Sequence, residues 1–386
     1  MIDENTLFVV PSFKGGATKA FVPLSPSTPL YALSFPFYAL PLPFMPHKPS
    51  GLIPITPAIY YAGNPYLCIQ LSTLSNKNNM INIRFATKEE GQQLIRSNSS
   101  YYDRLSQTDI DWRARKEGAT LNELIAYAAE QVQEFMPRQR EVIKYCVDYI
   151  DSRLSRLNAH LPLPEEIIFV STAMGDEGYA SAYTSRNIIV VNSNLLEYTE
   201  YRINTLDADC WPFFLQDLSV LIAHELFHCT TRHSSAFRRA MYALIGFTVL
   251  EHDIEFPDHV RQKIMANPDV EHIDSYAEFT IDGEKHRCAL LPLYNRTWAE
   301  ASQDNGKSAS FFNSIQASLI PLDDPDRPVD PDDASDFWYK MGRNTDYVTA
   351  PEECLAVNFS FAIVESHEEI RSPKLIAAIL DTLKSF

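Results

Sequence analysis

The stretch LIAHELFHCTTRH, residues 221–233, constrains the fold of this chain more than any other. Read as a helix, it is surrounded by Leu218, Val220, Leu221, Ile222, Leu226 and Phe227, so it belongs in a protein interior. The polar side chains it carries, His224, Glu225 and His228, then need partners, because a buried polar group left unpaired is costly. His224 and His228 are four residues apart, which on a helix is ~40° in azimuth and one turn in height. Both imidazoles can therefore reach one point. Glu225 lies ~100° from His224, too far round to be a third donor to that point but able to face a water in front of the helix. This is the geometry of HExxH: two nitrogens fix a zinc ion, the metal lowers the pKa of its water, and the glutamate takes the proton. A structural zinc site would have four protein ligands and no need of a glutamate base, so the pattern points to catalysis.

Two imidazoles do not hold zinc alone. His233 lies five residues past His228, ~140° around the same helix. The metzincin pattern HExxHxxGxxH would require Gly at 231 and His at 234, where this chain has Thr231 and Ser234. His233 is therefore read as a helix-end residue, and a glutamate from a later helix is the economical third ligand. Glu300, in TWAEASQD with Asp304 one turn on, and Glu353, in TDYVTAPEECLAVNFSFAIV at the first turn of an apolar helix, are the candidates. Spacing leaves both open.

HELFH followed at a distance by Y…PEE..A..F resembles the gluzincin-type zinc metallopeptidases. The resemblance implies that Glu353, the second glutamate of the pair, is the ligand, that Tyr347 donates to the oxyanion, and that a peptide or protein is the substrate. NIIVVN followed by NSNLL is similar to the edge strand above the zinc helix of those enzymes, which implies an extended substrate along residues 187–192. SPKLIAAILDTL is similar to their closing helix. The likeness covers about residues 119–386. The chain departs from the pattern at Val357, where many relatives have a carboxylate; the group that would orient a zinc-bound histidine is then missing or supplied elsewhere. It departs also at Ala350, where Asn is common, and at Tyr347, which stands one residue closer to the ligand. The expected architecture is α+β, a zincin-like fold with a small mixed sheet over the active-site helix, occupying residues 111–386 behind an extension of residues 1–110. Two other function classes compete. A degenerate zincin serving as a protein-binding scaffold predicts a blocked cleft, and a zinc hydrolase of a non-peptide amide needs no open edge strand.

The rest of the chain can be read around this centre. Residues 1–66 interleave proline with Phe, Leu and Tyr, which excludes a long helix or central strand and fits an extended arm packed on the body or docking a partner. Residues 67–87 look like two short strands around a polar turn at 75–79. Helical periodicity begins near Leu121 and is interrupted at Pro137, giving two helices or one kinked one. A buried strand over 165–173 precedes a hairpin turning at 184–187; helices then start near Trp211 and at the Ser234 cap, the second running through SSAFRRAMYALIGFTVLEH. Asp282-Gly283 marks a hairpin with a type I′ turn. Residues 321–336 hold seven aspartates at spacings that fit no EF-hand loop and read as a solvated connector. The last helices open at Pro351 and at Ser372-Pro373.

A formal charge of −17 opposes nucleic-acid or anionic-membrane partners. Six cysteines without a CxxC pair, and a start lacking a basic region and long apolar core, imply reduced thiols in the cytoplasm, or export without a cleaved signal. No apolar run approaches the ~20 residues of a transmembrane helix.

Overall fold

The computed structural model describes residues 81–205, 211–303, 311–364 and 369–386, the side chains of 211–214 excepted. The proline-rich arm and the turn expected at 75–79 lie outside them. In chain order the elements of the first half are β1 (Ile83–Phe85), α1 (Lys88–Arg96), α2 (Ser99–Tyr102), α3 (Gln107–Ala114), α4 (Leu121–Glu130), β2 (Val132–Gln133), α5 (Pro137–Leu157), β3 (Ile167–Thr172), β4 (Ala182–Ser185), β5 (Ile188–Asn192) and α6 (Ser193–Thr205). The second half continues with α7 (Trp211–His233), α8 (Ser235–Leu244), β6 (Thr248–Val249), α9 (Asp258–Arg261), β7 (Ser275–Ile281), β8 (Glu284–Tyr294), α10 (Trp298–Ser302), β9 (Ile315–Pro321), α11 (Phe337–Met341), α12 (Pro351–Ile363) and α13 (Pro373–Leu383). Among the described residues the architecture is mixed α and β, with two small sheets.

The first sheet has the order β1-β3-β5-β4, with β2 joining β3 beyond the end of β1. β1 and β5 run parallel to β3, whereas β4 is antiparallel to β5 and forms the edge. Every residue of β3, β4 and β5 is buried, as expected of strands covered on both faces. On one face Ile95 of α1 and Ala128 and Ala129 of α4 pack against Ile168, Val170, Ile188 and Val190. On the other, α7 crosses β4 and β5 and packs in turn against α5 and α12. Phe227 of α7 meets Phe359 of α12 at a ring distance of 5.3 Å. The central helix is thus buried by a sheet on one side and helices on the other, as its sequence demands.

Pro137 opens α5 rather than kinking it, because its missing N–H costs nothing in a first turn. α8 is shorter than expected: Gly246 takes a positive φ of 80°, and the β-branched Thr248–Val249 pair leaves the helix to join β7. β6 to β9 form the second, antiparallel sheet. The turn between β7 and β8 has positive φ at both Asp282 (51°) and Gly283 (84°), the type I′ geometry. One face of this sheet buries Ala289, Leu291, Leu293 and Ile320 under Phe256, Val260 and Ile264. The expected boundary at 110/111 falls inside α3, and β1 is a strand of the first sheet, so residues 81–110 belong to the same sheet-and-helix body as β3, β4 and β5. α1 to α3, not anticipated, are short helices; Thr87 caps α1, and Ser106 with Asp109 forms a capping box on α3.

The expectation that a substrate strand pairs with residues 187–192 is corrected here. β5 is an interior strand with neighbours on both sides, so its backbone groups are taken; β4 is the strand with an open edge.

Among the described residues no helix is long and apolar enough to cross a membrane. The described cysteines, Cys146, Cys229, Cys288 and Cys354, are free and buried, and burial raises each thiol to about 12.

Candidate metal centre

His224 and His228 stand one turn apart on the buried face of α7, their rings 4.6 Å apart and nearly perpendicular. Glu353 approaches from the first turn of α12, a helix buried along its whole length. Its Oε2 lies 3.1 Å from His224 Nε2 and 3.7 Å from His228 Nε2. One ligand atom from each of the three residues falls within 4.8 Å of the other two, so the trio can hold a metal ion. An ion bound tetrahedrally at about 2.1 Å sets its donors about 3.4 Å apart, and the two observed separations bracket that value.

Protons favour the same interpretation. His228 Nδ1 faces Glu352 Oε1 at 3.0 Å, and an ionised carboxylate can only accept, so Nδ1 donates. In a neutral ring the lone pair is then on Nε2, which is buried, has no hydrogen-bond partner among the described residues and faces another carboxylate oxygen. A proton or a cation must lie between them. Without a cation, burial pulls His228 down, yet its hydrogen bond to Glu352 and the Glu353 and Glu352 charges hold it above the ordinary imidazole value. Burial takes His224 the other way, to about 4. Four buried carboxyl groups, Glu225, Asp269, Glu352 and Glu353, crowd this place. The arginines beside them are engaged elsewhere: Arg238 with Asp274, and Arg232 with Glu271 and the Pro268 carbonyl. A divalent cation would offset that imbalance.

Surrounding groups fix each ligand. Asn267 Nδ2 donates to Glu353 Oε1 at 2.5 Å, leaving Oε2 aimed at the imidazoles. Glu352 accepts from His228 and also from Thr231 Oγ1 (2.5 Å) and Tyr242 OH (2.7 Å). This is the carboxylate whose absence at Val357 the sequence left open; it comes from the residue next to the proposed ligand. Glu225 points to β4, where Thr184 Oγ1 donates to its Oε2 at 2.7 Å. Burial, then the Asp269 charge, raises the Glu225 carboxyl well above its ordinary value. The hydroxyl of Tyr347 is buried, and its pKa is raised first by burial and then by the Glu353, Asp269 and Glu225 charges, so it stands within electrostatic reach of the centre.

The other sequence candidates are elsewhere. Glu300 is exposed and accepts from Thr297 N and Oγ1 at 2.7 and 3.1 Å, capping α10. His233 is exposed in the last turn of α7. Asn267, Asp269, Glu352 and Thr184 were not foreseen. Only Asn267-Pro268-Asp269 carried a local signal, an Asx turn in which Asn267 Oδ1 accepts from Asp269 N at 2.8 Å.

Comparison of the chain with family models, curated proteins and solved structures gives no match.

Proposed function

We propose that the chain is a zinc-dependent metallopeptidase of zincin-like fold and gluzincin type, with His224, His228 and Glu353 as metal ligands. The observation that carries this reading is the convergence of two Nε2 atoms and one carboxylate oxygen at 3.1 and 3.7 Å in a buried, acid-rich place. An antiparallel edge strand beside the histidine helix also supports it. Zinc, when bound, supplies Lewis acidity that lowers the pKa of water and polarises a carbonyl.

The chain's own residues divide the remaining work. Glu225 takes a proton from the attacking water and returns it to the leaving amine. Thr184 positions that base through its hydroxyl. Glu352 and Asn267 hold His228 and Glu353 in their bonding orientations. Tyr347 is the proposed hydrogen-bond donor to the developing oxyanion. An extended peptide lies along the edge of β4 rather than along β5.

Glu225→Gln tests the mechanism: zinc content should stay at the wild-type level while hydrolysis of a peptide library falls at least a thousandfold. Unchanged hydrolysis in that variant would sink it. A second reading, a folded scaffold of the same architecture without turnover, is favoured by the burial of the site, since His224, Glu225, His228 and Glu353 are each no more than 2 % exposed. It predicts bound zinc and no cleavage by the wild-type chain.

A further inference from the structure

We propose that residues 268–271 act as an internal substrate mimic, lying against the open edge of β4 with Asp269 as the latch, while Asn267 stays fixed on Glu353. The proposal rests on the reading that β4 and Glu225 face a peptide substrate. In an antiparallel pair, alternate residues of an edge strand turn their N–H and C=O groups outward. Thr184 N is such a group, and it donates at 2.6 Å to Asp269 Oδ1. An extended peptide pairing with β4 would set a backbone carbonyl oxygen there. The carboxylate of Asp269 therefore takes the place of a substrate carbonyl, on the residue whose hydroxyl holds Glu225.

Asp269 also closes the centre. Ligand atoms of Asp269, Glu225 and His228 lie within 4.8 Å of one another. With the segment in place, no peptide reaches residues that are at most 2 % exposed.

The attachments are those of a removable cover. Pro268 has no N–H to give to β4, and the contact with Thr184 is made by the Asp269 side chain. Arginines grip the segment's backbone carbonyls, Arg104 that of Val270 and Arg232 that of Pro268, while Ala266 and Asn267 before it are anchored to Asp109 and Glu353. Space exists on both flanks. A cavity of about 500 Å³ is lined in part by Ala266, Asn267 and Val270, and one of about 340 Å³ in part by Asp269, Val270 and Glu271.

The test uses the full chain with zinc, a short peptide hydroxamate as probe, and amide hydrogen exchange at Thr184. Asp269→Ala should bind the hydroxamate at least tenfold more tightly and exchange the Thr184 amide at least tenfold faster, with zinc retained. Asp269→Asn keeps an acceptor oxygen and should stay within threefold of wild type in both. Arg104→Ala, which leaves every group at the centre intact, should shift both readouts in the same direction as Asp269→Ala and decides the matter if that variant does not fold. Retained zinc with unchanged affinity and exchange would overturn the mimic alone. Loss of zinc in Asp269→Ala with no gain in hydroxamate binding would overturn it in favour of a ligand role. Absence of zinc from the wild-type chain would overturn both the mimic and the metallopeptidase reading.

Discussion

Replacing Glu352 by glutamine asks whether a buried carboxylate next to the proposed ligand tunes the metal centre. Glu352 accepts from His228 Nδ1, Thr231 Oγ1 and Tyr242 OH, and is 3 % exposed. Glutamine has nearly the same shape. Its carbonyl oxygen can keep the His228 and Thr231 bonds, and its amide can donate to the Tyr242 oxygen, so the packing and the hydrogen-bond count survive. What is lost is the charge that stabilises the Nδ1–H donor and makes Nε2 a stronger base. Hydrogen bonds to charged partners are worth about 1.5–3 kcal/mol against about 1 kcal/mol for neutral ones, so the loss is ~1–2 kcal/mol. Substitutions of such orienting partners lower metal affinity roughly 10–100-fold, which is ~1.4–2.7 kcal/mol. Zinc affinity measured by chelator competition should therefore fall about tenfold or more, while the urea midpoint of the metal-free protein changes little. An affinity within twofold of wild type would refute the argument that Glu352 supplies the carboxylate missing at position 357. Glu352→Ala is harsher: three buried donors lose their acceptor, and the chain should unfold at much lower urea.

Other perturbations test neighbouring parts of the geometry. Glu300→Ala should leave zinc affinity unchanged and lower the thermal midpoint only slightly, since this side chain caps an exposed helix; a drop in zinc binding would revive it as a ligand. Asp176 is 7 % exposed, and burial, reinforced by Glu177, raises its carboxyl to about 7. Its folded value lies above its unfolded one, so the folded state binds the extra proton and stability is lost as pH rises from 4 through 7. The advantage of Asp176→Asn over wild type should therefore grow across that range and level off above it, on the order of 4 kcal/mol at most. Equal urea midpoints for the two proteins at pH 5 and pH 8.5 would refute this.

The sequence made the centre legible and much of its surroundings obscure. Helix periodicity and the apolar flanks of His224 and His228 identify a buried helix without any knowledge of its partners. Glu353 could be separated from Glu300 by a family likeness but not by spacing, because the contact to α7 spans 129 residues of chain. The same distance hid Glu352, whose role depends on which face of α12 meets α7. Asp269 and Asn267 sit in a loop held by arginines from α7 and α3, contacts that no periodic pattern records. β5 looked like an edge because a hairpin in sequence does not reveal which arm a third strand will join; its parallel pairing with β3 puts it inside. Gly246 and the Thr248–Val249 pair marked the end of α8, but the apolar run through them reads equally well as more helix.

Zinc content of the purified chain, set beside that of Glu353→Gln, tests the central claim most directly. This substitution retains the shape of the side chain and its contact with Asn267 while removing the charged donor shared by the two imidazoles. The account predicts one zinc per wild-type chain and loss of that zinc from the variant upon dialysis. Zinc held equally by both proteins, or absent from both after refolding with excess metal, would contradict it.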